Sequence, residues 1–90
     1  MVEIYDTTAR DAQRVVRALR LELIEAIARR LERYPLKQGE LAELLGIARP
    51  RLNRLLKREV ELFSLDALAA IASRAGLVVK VSATRPYGGR

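Results

Sequence analysis

The chain contains no cysteine, no histidine and no tryptophan, and only one phenylalanine among its 90 residues. Without cysteine there is neither a disulfide framework nor a thiolate metal site, and without histidine the commonest base and metal ligand is missing. No run of about 18 apolar residues occurs that would span a bilayer. The opening MVEIYDTTARD lacks the basic and then apolar regions of a secretion signal. These absences predict a soluble, unexported, cytoplasmic protein that uses no cofactor. Nor is a catalytic role expected: the acids are scattered along charged helical faces, and Gly88 and Gly89 lie outside any strand-to-helix phosphate loop.

What is present is typical of one small helical domain: half the residues are hydrophobic and 31% are charged. The net charge of +6 is unevenly placed. Residues 1–34 oppose seven arginines with six acids, residues 35–48 are net −1, and residues 59–90 are net +1. Residues 49–58 hold Arg49, Arg51, Arg54, Lys57 and Arg58 with no acid. A run of cations on a short helix is ordinarily a solvated face. Here the acids that balance arginines elsewhere are missing, which gives an electrostatic footprint for a polyanion.

Along the chain, VEIY (residues 2–5) alternates weakly and reads as an arm or short strand within residues 1–7. Thr7 or Thr8 suits a helix N-cap, with Asp11 in a weak capping box. Ala12, Val16, Leu19, Leu23, Ile27 and Leu31 then recur at helical spacing, widened by Val15, Ile24 and Ala26, up to a stop near Tyr34 imposed by Pro35. A membrane-surface helix is opposed by Glu22, Glu25 and Glu32 on the polar side. A second, short helix over about 38–45 would bury Leu41, Ala42, Leu44 and Leu45, with Gly46 as a left-handed C-cap. Pro50 suits the first turn of a third helix, which buries Leu52, Leu55 and Leu56. Ser64 caps a fourth helix over 65–75 that ends at Gly76, and Phe63 anchors the loop before it. Then LVVKVSAT (77–84) reads as a strand with Leu77, Val79, Val81 and Ala83 on one side. A strand needs a partner: a symmetry mate's strand, the N-terminal segment, or both. RPYGGR (85–90) reads as a flexible tail.

The frame Gln38–Lys57 resembles the helix-turn-helix of the Xre/Cro repressor family. Ala42 stands where close helix approach needs a small residue, Gly46 at the turn, and Leu41, Leu45, Ile47, Leu52 and Leu55 at core positions. ELFSLDALAAIASRAGLVVKVSA and LRLELIEAIARRLE are similar to the tail and first helix of the HigA-type antitoxin branch, so the likeness spans residues 9–83. It implies a mainly α fold, a lambda-repressor-like bundle over 8–76 plus a C-terminal strand that pairs across a homodimer. It also implies a DNA-binding repressor of a palindromic operator, and an antitoxin with a cognate, RNA-cleaving toxin. A free-standing phage or host regulator shares the same architecture, and an RNA-binding or protein-interaction helical domain is the more remote alternative.

Carried over residue by residue, the resemblance makes Arg49, Pro50, Arg51 and Asn53 base-reading candidates. Arginine's fork matches guanine O6 and N7, Asn53 suits adenine or a phosphate, and Pro50 offers apolar contact. Gln38, Arg54, Lys57 and Arg58 become phosphate candidates, and Leu77, Val78, Val79 and Val81 dimerisation candidates. Two departures stand out. Ala48 replaces the usual Ser, Thr or Gly and leaves the recognition helix without a side-chain N-cap, and Lys37 replaces a Ser or Thr before Gln38.

Overall fold

A computed structural model describes residues 2–4 and 9–83, with side chains from residue 12 onward. The order is β1 (Val2–Ile4), α1 (Ala9–Glu32), α2 (Gln38–Leu45), α3 (Arg49–Leu56), a 3-10 turn (Val60–Leu62), α4 (Leu65–Arg74) and β2 (Val81–Ala83). The fold is the mainly helical bundle that the periodicities predict. The capping roles of Thr7 and Thr8 and the tail 85–90 lie outside the described residues.

The core is one cluster. Ile24, Ile27 and Leu31 of α1 meet Leu41, Ala42 and Leu45 of α2, Leu52 and Leu55 of α3, Val60, Phe63, and Leu68, Ile71 and Ala72 of α4. The buried faces of all four helices follow from the helical period, with two corrections. Leu44 is 43% exposed rather than inward, because the buried stripe of α2 runs through Leu41, Ala42 and Leu45. Before Leu19 the described side chains of α1 are little covered: Ala12 and Val16 are exposed, Val15 is half-buried, and burial begins at Leu19. A 24-residue helix is about 36 Å long and outreaches the short helices packed against it.

Helix ends are closed by arginines from other helices. Gly46 is left-handed (φ 68°), and the N–H of Ile47 reaches the Ala42 carbonyl at 3.0 Å in a Schellman arrangement. Arg74 of α4 donates Nη1 to the Leu45 carbonyl at 2.9 Å, so the end of α2 is tied to α4. At the end of α4, Arg30 Nε of α1 and Tyr34 Oη, just beyond it, donate to the Ala75 carbonyl at 3.0 and 2.8 Å.

The C-terminal strand is shorter than the 77–84 expected. Leu77 donates its N–H back to Ala72 and packs against the core, so residues 77–80 run without a ladder and β2 spans three residues. Its partner within the chain is the N-terminal strand, in parallel: Val2 faces Val81, Glu3 faces Ser82 and Ile4 faces Ala83. The two sides of the strand meet different surroundings. Ser82 is the half-buried residue, and Val81 and Ala83 are exposed.

Candidate nucleic-acid interface

α3 is positioned from its buried side. Leu52 and Leu55 are fully enclosed, which turns residues 49, 53 and 57, spaced by four, to the opposite face. Arg49, Asn53 and Lys57 are exposed there, and among the described residues no side-chain hydrogen bond or ion pair holds them. Pro50 is exposed in the first turn, where its missing N–H leaves no bond unmade.

The start of the helix is bare. Ala48 has extended N-cap geometry (φ −72°, ψ 151°) and offers no side-chain acceptor, and no acid stands in the first turn. The unpaired N–H groups and the positive end of the helix dipole therefore add to Arg49 and Arg51 instead of being neutralised. α2 begins differently: Glu40 Oε1 accepts from the Lys37 N–H at 2.9 Å, while the Lys37 ammonium has no acceptor to return the bond. Gln38, in the first turn of α2, is exposed.

The other expected contacts divide. Arg51 is exposed, but its guanidinium carbon lies 4.3 Å from the ring centroid of the buried Phe63. Stacking of this kind fixes a guanidinium while leaving its in-plane N–H donors available. Arg54 is half engaged: its Nη1 lies 3.4 Å from Glu59 Oε1, both side chains being well exposed. Arg58 does not extend along the outer face with the other phosphate candidates. Its left-handed backbone (φ 58°) directs the side chain to α1, where Nε meets Glu25 Oε1 at 3.0 Å and Nη1 meets Glu32 Oε2 at 3.2 Å. The Arg58 guanidinium holds the Glu25 carboxyl below the ordinary glutamate range, helped by Arg29, whose Nε lies 2.8 Å from it. The acids missing from residues 49–58 are thus supplied in space by Glu25, Glu32 and Glu59. The cations left facing outward are Arg49, Arg51 and Lys57.

Sequence reasoning missed the residues that hold this face in place. Glu25 and Glu32 enter the sequence reading only as acids on the polar side of α1, and nothing in their spacing relates them to position 58. Arg74 and Arg30 carry no sequence signal that singles them out. The single hint is that Gly46 and Gly76, where each arginine's guanidinium closes over the turn, both follow helix ends whose last carbonyls need donors.

The four dimerisation candidates lie together on another face. Leu77, Val78, Val79 and Val81 border an apolar groove of about 600 Å³ with Leu19 and Leu23 of α1 and Leu65 and Ala69 of α4; no residue of α2 or α3 contributes. Val78 is 82% exposed and Val81 53%.

Two short helices joined by a left-handed glycine turn, the second with an open basic face, define a DNA-binding helix-turn-helix regulator. A family model described as a helix-turn-helix domain matches residues 5–84, nearly the whole chain, and the chain belongs to that family. No curated protein matches the chain. Among the described residues no helix is long and apolar enough to cross a membrane, and no group of acids is placed to hold a metal ion.

Proposed function

We propose that the protein is a sequence-specific transcriptional repressor of the Xre/Cro type, cytoplasmic, that binds a palindromic operator as a homodimer. In this reading it is the antitoxin of a toxin-antitoxin pair that represses its own operon. The observation that carries DNA recognition is the bare, electropositive start of α3 beside an unpaired row of Arg49, Asn53 and Lys57. A helix of this kind fits the major groove with its N-terminal side chains toward base edges. Arg49 and Arg51 read guanines, with Arg51 held ready by the Phe63 ring. Asn53 reads adenine and Pro50 offers apolar contact, for instance to a thymine methyl. Gln38, Arg54 and Lys57 set the register on phosphates.

Dimerisation is supported by the outward-facing Val78, Val79 and Val81 beside the apolar groove, and by the second edge of β2, on which no strand lies among the described residues. A two-fold axis there would set two recognition helices on half-sites about 34 Å apart. The exposed Ala12 and Val16 on the apolar stripe of α1 support a further protein partner, which the HigA resemblance makes an RNA-cleaving toxin.

The test is binding to the duplex upstream of the protein's own coding region. Affinity should fall steeply with salt, by nearly one unit of log–log slope for each phosphate contact. Absence of preference over random duplex at physiological salt would end the repressor reading. Co-purification of the product of the neighbouring reading frame supports the antitoxin role, and a solitary protein supports a free-standing regulator.

A further inference from the structure

Arg58 stands at the joint between α3 and the rest of the domain. Among the described residues it is the one non-glycine with positive φ; Gly46 and Gly76 take that conformation at the ends of α2 and α4. A side chain in the left-handed region carries a steric penalty that glycine avoids, so the end of α3 keeps an arginine where its two counterparts use the unstrained residue.

The side chain is fully engaged. Nε and Nη2 lie 3.0 and 3.5 Å from the two oxygens of Glu25, and Nη1 lies 3.2 Å from Glu32. The same Nη1 donates to the Leu56 carbonyl at 2.7 Å, in the last turn of α3, where carbonyls lack helical partners. Glu25 and Glu32 are two helical turns apart and therefore share one face of α1. One guanidinium so joins the last turn of α3 to two turns of α1. Swinging it out toward DNA would take from Glu32 the guanidinium it meets and leave Glu25 with Arg29 alone, so that uncompensated carboxylate beside the recognition helix would repel phosphate.

We infer that Arg58 is a positioning residue rather than a phosphate ligand: it clamps the C-terminal end of α3 to Glu25 and Glu32 and thereby fixes the angle at which Arg49, Asn53 and Lys57 are presented. Its functional half rests on the DNA-binding reading above; its structural half does not.

The informative variant is Arg58→Gly in the full chain, because glycine keeps the left-handed turn while removing every side-chain contact. Probe duplexes are those the wild type selects from a random-sequence pool, with unselected duplex as control. Arg58→Gly should weaken selected duplex about tenfold, leave unselected duplex nearly unchanged, and keep the salt slope. Glu25→Gln/Glu32→Gln should show the same loss, with no further loss on combination. Equal weakening on all duplexes, with a slope smaller by about one unit and tighter binding by Glu25→Gln/Glu32→Gln, would overturn the inference in favour of phosphate contact. Hydrogen exchange of the DNA-free protein decides the clamp separately: faster exchange at the end of α3 in Arg58→Gly supports it, and unchanged exchange overturns it. A wild type that selects no duplex would defeat the DNA-binding reading while leaving that measurement valid.

Discussion

α3 and α4 are neighbours of similar length, eight and ten residues, yet they begin in opposite ways. α4 starts on Ser64, whose Oγ accepts from the Ala67 N–H at 3.1 Å, carries Asp66 in its first turn and ends with Arg74. Every one of these choices suits an isolated helix. α3 starts on Ala48, has no acid in its first turn and places Arg49 and Arg51 against the positive end of its own dipole. Its local sequence disfavours the helix that its burial enforces. A cap or an acid at that end would stabilise α3 and would also occupy the pole that suits a phosphate or a base edge. The contrast separates a helix built to hold the fold from one that gives up local stability to present a surface.

If α3 depends on burial, Leu55→Ala should be the most damaging change considered, destabilising by about 2–5 kcal/mol in urea unfolding. A loss well under 1 kcal/mol would show that α3 holds itself. Gly46→Ala comes next. A Cβ there collides with the Arg74 guanidinium and forces a left-handed alanine, at about 1–2 kcal/mol, together with release of the Leu45 carbonyl from Arg74.

The direct exchange of starts is smaller. Ser64→Ala should cost about 1 kcal/mol, and Ala48→Asp should gain a similar amount in thermal unfolding while weakening DNA binding. A variant that gained stability and kept its affinity would break the link between the bare start and recognition. For the outward face, Arg49→Ala should chiefly lose discrimination between duplexes, whereas Lys57→Ala should weaken all of them alike and lower the salt slope by about one unit.

The smallest effect is on pH. Glu25 titrates below the ordinary glutamate range because of Arg58 and then Arg29. Its contribution to stability is therefore complete above that range and is lost as pH falls through the depressed value. Urea midpoints of wild type and Glu25→Gln should differ at neutral pH and converge in acid.

The helices, their faces and most of their ends were legible in the sequence because each rests on neighbours three or four residues away: Pro35, Gly46, Pro50, Ser64 and Gly76 all act locally. So was the outward row Arg49, Asn53 and Lys57. What was illegible acts over distance. Arg58 finds Glu25 thirty-three positions earlier and Arg74 reaches Leu45 across twenty-nine, and no periodicity encodes either meeting. The strand misled for a related reason. Alternation told that one side of LVVKVSAT differs from the other, but the return of Leu77 to the core after Gly76 decided which side met solvent and how few residues remained for pairing.

The pairing of β1 with β2 has a consequence for how the molecule opens. The two strands are parallel and three residues long, and the loop that connects them is the entire helical domain. A two-stranded sheet of this size is marginal on its own, and the buried core cluster takes no residue from β2. Opening of β1 from β2 would therefore leave the helical core closed, as local opening at the low end of the stability range. A β2 opened in this way would offer both of its edges for pairing, so β1 would compete with any strand that came to the same register.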